Sequence, residues 1–453
     1  MRRELATLAL YCAVLCAAGA TARGGDTWIE QSGPGGQPLE SPTESAASTL
    51  VAPTYQPVWT PGNPVEAAPH SGQEYWPHTK AGVSPLGETL AWRKGRYRLV
   101  PYGIGWLNVA YDTSRSTTGP FVLFIDSADD EGEASFNVDA RSTRFGLNVT
   151  GPRILGAESA GRVEFDFQGR AFAENRASVL LRHAYGEFRT DEWRLLGGQT
   201  SDVIAPLLPN TLNYSLGRAG GNIGFRRAQV RVERFLRPGR DTQVTLQASI
   251  NQTVVAEFVT DPQLDGEDAG WPTVMGRMAV AGPQCCDAER VELGISGHIG
   301  QEGIDFDTPP LQDDARFLSW SFNADAYVPI TDYFGFQGEF FFGDALGTFI
   351  GGINQDIDPI RRDGIRSIGG WVEAFLWLTE EVHTHGGYGI DDPHDHDLSA
   401  GRRSQNQFFF WNIVWDITPQ TNVGIELSRW DTHYVGQAAG ENFRVETRFQ
   451  YRF

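Results

Sequence analysis

Asn442-Phe443-Arg444-Val445-Glu446-Thr447-Arg448-Phe449-Gln450-Tyr451-Arg452-Phe453 ends the chain and alternates without a break. Phe443, Val445, Thr447, Phe449, Tyr451 and Phe453 share one side, and Asn442, Arg444, Glu446, Arg448, Gln450 and Arg452 share the other. Successive side chains of a strand point to opposite faces, so the stretch predicts a strand with an aromatic, apolar face and a charged face. A soluble sheet core and a lipid-facing barrel wall would both show this pattern. The rest of the chain discriminates between them.

The same period recurs upstream. Val163, Phe165 and Phe167 alternate with Glu164, Asp166 and Gln168, and Leu318, Trp320 and Phe322 oppose Ser319, Ser321 and Asn323. Val244, Leu246, Ala248 and Ile250 oppose Gln243, Thr245, Gln247 and Ser249. Further strands are predicted at 97–112, 139–150, 179–189, 193–200, 222–234, 271–280, 291–299, 333–342, 367–378, 405–416 and 422–431. Most are long enough to cross a bilayer at a tilt, which takes about 9–11 residues. About fifteen strands are visible. Single-chain bacterial barrels carry an even number, so the fold class expected is all-β, a transmembrane antiparallel β-barrel of about 16 strands.

The long segments 113–138, 251–270, 301–314, 343–366 and 379–404 are assigned to one end of the barrel. Short turns such as Pro329-Ile330-Thr331-Asp332 and Thr418-Pro419-Gln420-Thr421 are assigned to the other. Aromatic residues make up 12% of the chain and cluster at Phe340-Phe341-Phe342 and Phe408-Phe409-Phe410-Trp411, as interfacial girdles do.

Composition sets outer limits. The 453 residues are 40% hydrophobic, yet no apolar run of about 18 residues follows the N-terminus. Leu5 to Ala20, after Arg2 and Arg3 and before Thr21-Ala22, reads as a cleavable export signal over residues 1–22. Residues 23–90, with Gly33-Pro34-Gly35-Gly36, are too poor in apolar surface to offset ordering entropy, so a disordered N-terminal extension is expected, leaving 91–453 as the barrel.

A net charge of −20 lacks the basic footprint of a nucleic-acid binder. Only Lys80 and Lys94 are lysine; the other basic residues are arginine, whose planar permanent charge suits a pore lining. Apart from Cys12 and Cys16 in the signal, the only cysteines are the neighbours Cys285-Cys286, whose Cα atoms lie closer than a relaxed disulfide needs.

Several phrases then occur in order: Ala140-Arg141-Ser142-Thr143-Arg144-Phe145-Gly146, Val163-Glu164-Phe165-Asp166-Phe167 and Leu181-Arg182-His183-Ala184-Tyr185-Gly186. Leu196-Gly197-Gly198-Gln199-Thr200 and the Asp202–Tyr214 stretch, with Pro206, Pro209 and Asn210, complete the series. Over roughly 138–220 this set resembles the DcaP-type porins. The resemblance implies a sixteen-stranded homotrimer of the Gram-negative outer membrane that passes small hydrophilic, often anionic, solutes. The aromatic C-terminus resembles the signals read by the barrel-assembly machinery. The Pro/Gly-rich extension departs from the family's heptad helix, and the later strands carry no matching phrase.

Candidate pore-lining residues are Arg144, Arg182 and Arg194 beside Glu164 and Asp166, since opposite charges across a constriction set a field that selects solutes. They could equally pair with one another along the inner wall. Gln199, Asp202 and Asn210 bracket a non-strand segment that could enter the pore, clasp a neighbouring subunit or form a plain turn. The run from His383 to Asp397 is read as a loop with eight possible ligands, more in keeping with solvated surface than with a metal site. No cofactor is expected. No Gly-x-Ser-x-Gly, His-Glu-x-x-His or P-loop is present, so the chain is read as a transport protein of the outer membrane, in contact with lipid, and not as an enzyme. The alternative is a structural or surface-interaction barrel with a closed lumen.

Overall fold

The computed structural model describes residues 90–453 apart from 117–118, 131, 170–175, 240–241, 255–268, 283–290 and 307–312. The predicted signal, all but the last residue of the predicted extension, and Cys285-Cys286 lie outside the described residues.

A short β1 (Trp92–Lys94) leads into β2 (Tyr97–Asp112), followed by β3 (Ser135–Asp139) and β4 (Arg144–Thr150), two halves of one stave. Then come β5 (Glu158–Gly169), β6 (Ser178–Arg189), β7 (Trp193–Ser201), β8 (Arg226–Leu236), β9 (Gln243–Asn251) and β10 (Thr273–Gly282). The second half holds β11 (Val291–Phe306), β12 (Asp313–Thr331) and β13 (Phe334–Asp344), then a separate small hairpin, β14 (Ile357–Asp358) and β15 (Asp363–Gly364). The last staves are β16 (Arg366–Trp377), β17 (Val382–Pro393), β18 (Arg403–Thr418), β19 (Thr421–Tyr434) and β20 (Gln437–Arg452).

Each stave pairs antiparallel with the next, and β20 returns to β2 from Ile104↔Arg452 to Asp112↔Arg444. The result is a closed barrel of 16 staves. Closure leaves no stave edge unpaired, which a bilayer requires because its hydrocarbon offers backbone groups no partner. The seam ends on the last residue. Gly103 and Phe453 exchange backbone hydrogen bonds of 3.0 Å each way, and the Phe453 ring lies where a Cβ on residue 103 would sit.

Exposure is inverted relative to a soluble protein. On β20, Phe443, Phe449 and Tyr451 are 43–46% exposed on the outside, whereas Arg444 and Gln450 are fully buried inside. Leu107, Val163, Leu195, Ile295, Phe340 and Val372 continue the outer apolar belt around the barrel. A soluble sandwich would bury these residues between sheets; an outward apolar belt is the pattern of an outer-membrane barrel.

Three expectations are corrected. The predicted 379–404 loop, with its His/Asp run, contains a stave: β17 crosses from Val382 to Pro393. Gly386, Gly387 and Gly389 interrupt its alternation, and two of them sit beneath Phe408 and Phe410 of β18, so the neighbouring strand supplies the bulk. β17 is the sixteenth stave that alternation did not reveal. The 301–314 loop is shorter than expected, because β11 runs to Phe306 and β12 starts at Asp313. The strand expected from residue 222 begins only at Arg226, because 222–225 belong to a segment that enters the lumen.

Candidate functional site

Residues 202–225 leave β7 at the end opposite Phe453 and fold into the barrel. Asp202 fixes the base of this segment: its backbone N–H donates to Phe225 O at 2.9 Å, and its carboxylate accepts from Phe225 N at 2.9 Å and faces Arg227 Nε at 3.0 Å. Burial pushes the Asp202 carboxyl up, while Arg227 pulls it down. Val203, Ile204 and Ile223 pack on the inward Met275 and Phe341, and Leu207 packs among Tyr327, Trp371 and Phe375.

The far wall grips the segment with three glutamates. Leu207 N donates to Glu339 Oε1 on β13, and Asn210 donates its backbone N–H and side-chain amide to Glu373 on β16. Thr211 Oγ1 and Leu212 N donate to the two oxygens of Glu426 on β19. All five bonds are 2.6 Å. Gln337 and Asn412 hold the carbonyls of Leu208 and Asn210. A chain that cannot donate to strand neighbours needs such partners when buried, and charged acceptors are the strong kind.

Sequence reasoning missed these three glutamates, although each stands at an inward position between apolar outward neighbours. Glu373 is itself backed by His385 at 2.9 Å, which meets His383 at 2.7 Å, with Asp416 3.5 Å beyond.

The opposite wall carries the predicted charges. Arg144 on β4, Glu164 and Asp166 on β5 and Arg182 on β6 form one cluster: Arg144–Glu164 is 3.1 Å, Arg182–Glu164 3.5 Å and Arg182–Asp166 2.6 Å. They sit side by side on one wall and pair with each other, so the field across a constriction expected from these four is not how they are arranged.

A β-bulge places Arg182. Glu164 pairs with His183 and Phe165 with Leu181, so Arg182 is the extra residue, and both it and His183 turn inward. The bulge frees the Leu181 carbonyl, which Gln199 satisfies at 2.7 Å. Gln199 therefore stands on the outer side, away from the pore role expected of it, while its neighbour Thr200 faces inward to His183. Arg194 faces the lumen but outside the cluster, bonded to Glu187 at 2.6 Å and paired with Glu233 at 3.3 Å.

Between the inner segment and β5–β6 lies a small gap of about 50 Å³. Arg182, Arg218 and Arg226 line it together with Tyr214, Phe225 and Ile350, and no carboxylate among the described residues does. Tyr214 reaches across one side, donating to Asp166 at 2.9 Å.

Two more segments enter the lumen. Phe121, Leu123 and Phe124 pack against Ala219, Ile350 and Ile353, and Val122 and Ile125 against Phe408, Phe410 and Trp430. The 345–365 segment pairs with the first: Gly224 N donates to Phe349 O at 2.8 Å and Ala219 N to Ile350 O at 3.0 Å.

The His/Asp run is not one site. His383 and His385 face the lumen on β17, whereas His394 and Asp395–Asp397 follow its other end, where Asp397 holds Arg366 at 2.7 Å. No group of three or more His, Cys, Asp or Glu suited to a metal occurs among the described residues.

This geometry has known counterparts. The outer-membrane channel DcaP of Acinetobacter baumannii superposes with a TM-score of 0.64 at 18% identity, over 80% of this chain and 99% of that one. The chain has the fold of that channel. OmpF of Salmonella typhi, solved with daunomycin, gives 0.53 at 11% identity over 80% and 100%. An anion-selective porin from Comamonas acidovorans gives 0.51 at 11% over 79% and 100%. No protein-family model and no curated protein matches the sequence.

Proposed function

We propose that the chain is an outer-membrane diffusion channel for small hydrophilic solutes, with anions favoured, and not an enzyme. The observation that carries this reading is the division of the lumen. Glu339, Glu373 and Glu426 are occupied by the inner segment, so that segment stands against the acidic wall. The gap left open faces Arg182, Arg218 and Arg226. A chain of net charge −20 thus keeps guanidinium groups at this gap, and guanidinium groups with apolar neighbours attract anions in a site of low dielectric. The fold shared with the Acinetobacter channel and the name of the Comamonas porin point the same way. A homotrimer fits this reading as well.

In planar bilayers the purified protein is expected to raise conductance in discrete steps, grouped in threes for a trimer, with a reversal potential on the chloride side in a salt gradient. A second reading, a barrel with a closed lumen, is favoured by one observation: three segments pack a buried apolar core inside the staves. A pure preparation silent at every pH would select it.

A further inference from the structure

We infer that the short-turn rim of staves β2 to β8 is a docking surface for anionic phospholipid headgroups. This surface lies on the outside of the barrel, and its role holds whether or not the lumen conducts.

Short turns mark the periplasmic end of such a barrel. One arc of that end gathers cations: Arg93, Lys94 and Arg96 around the β1–β2 hairpin, Arg153 between β4 and β5, and Arg234 and Arg237 beside the turn after β8. Arg153 pairs with Glu158 at 2.7 Å, and Arg234 pairs with Glu192. Arg93, Lys94, Arg96 and Arg237 are exposed and meet no carboxylate among the described residues. The opposite arc reverses the sign. There the β12–β13 and β16–β17 turns expose Asp332, Glu380 and Glu381 and carry no cation. A chain of net charge −20 has thus concentrated positive charge on one side of one rim.

The cations stand among outward-facing apolar groups. In register, Trp92 lies opposite Leu99 and Lys94 opposite Tyr97, on the same side of β2 as the exposed Leu107 and Tyr111. Trp92 is 69% exposed and Tyr97 53%. Three staves farther round, Trp193 lies opposite Arg234 on the side of Leu195, and the guanidinium sits 4.6 Å from the indole centroid. The surface therefore continues the outer belt downward and is not confined to the end face of the barrel.

The β4–β5 turn adds an independent sign of an apolar partner. Ile154 and Ala157 exchange backbone hydrogen bonds of 2.9 and 3.0 Å, which puts Leu155 and Gly156 at the tip with φ of 51° and 85°. Such tips favour Asn-Gly, because a leucine there is strained. Leu155 is nonetheless wholly exposed, next to Arg153. Strain of this kind persists where the position serves a contact.

Cations alone would suit any acidic partner. Cations interleaved with indole and phenol rings at the foot of an apolar belt suit one whose negative charge sits directly over hydrocarbon. That is the chemistry of an anionic phospholipid.

Spin-labelled lipids, added to the full chain reconstituted in phosphatidylcholine, test this. The wild type is expected to select labelled phosphatidylglycerol over labelled phosphatidylcholine, and the preference is expected to fade at high salt. The combined Lys94→Gln, Arg96→Gln and Arg237→Gln variant is expected to lose most of it, and the Glu380→Gln, Glu381→Gln variant to keep it. A wild type without preference overturns the docking surface, as does a preference that survives in the first variant or is lost equally in the second. Should the triple variant not fold, Arg237→Gln alone and the salt titration of the wild type still decide, and a preference indifferent to salt overturns it. Capture of polyglutamate in detergent, with no preference among lipids, would assign the arc to a soluble acidic partner and overturn it too.

Discussion

Glu373 grips Asn210 twice, at the backbone N–H and at the side-chain amide, each at 2.6 Å. The two residues are far apart in sequence, and their union holds the inner segment against the acidic wall. Replacing Glu373 with Ala leaves Asn210 N and His385 Nδ1 without their acceptor, at a cost of about 1–3 kcal/mol. Single-channel conductance is expected to increase as the segment loosens. Conductance and melting temperature equal to the wild type would show that the grip is not structural.

Arg182 and Asp166 are both buried and 2.6 Å apart. Arg182→Gln leaves Asp166 and Glu164 with Arg144 alone, and breaking a buried pair from one side costs about 3–5 kcal/mol. Chemical unfolding in detergent should show a loss of that size. Asp166→Asn in the same chain should recover part of it, because the carboxylate goes with its partner. Purely additive losses would dissolve the cluster as a unit.

Arg226 lines the gap and lies 5.1 Å above its neighbour Phe225. Arg226→Gln is expected to move the reversal potential in a potassium chloride gradient toward the potassium value. An unchanged potential would take the gap off the conduction path.

Ile295 is 45% exposed in the middle of β11, on the outer face. Arginine there faces hydrocarbon at mid-depth and should destabilise the protein refolded into vesicles by about 2–4 kcal/mol. The same change in a soluble protein, at a site equally exposed, would be nearly neutral. A neutral result, or a wild type that stays monodisperse without detergent, would remove the membrane from the account.

The walls were legible in the sequence because a barrel imposes a strict period of two, and Phe443 to Phe453 obeys it to the last residue. β17 was not, because its inward face is His383, His385, Gly387, Gly389 and Asp391, a mixture that reads as loop. Arg144 and Arg182 could be placed inside by alternation, although Arg182 is aimed by a bulge that alternation does not foresee. Asp202 and Asn210 were marked as bracketing a segment, but its partners Glu339, Glu373 and Glu426 lie more than a hundred residues onward. A backbone N–H bonded to a distant carboxylate leaves no local periodicity. Gln199 was misread because a side chain that repairs a bulge on the outer surface looks the same in sequence as one that enters a pore.

The Gly103–Phe453 pair makes the presence of β20 a condition of closure. The staves between can zip to their sequence neighbours one after another, whereas the final stitch joins the first full stave to Phe453 at the far end of the last one. Any chain cut short would present a row of bare amides and carbonyls to the acyl phase, so a truncated product would remain unsealed however well the rest of it had folded.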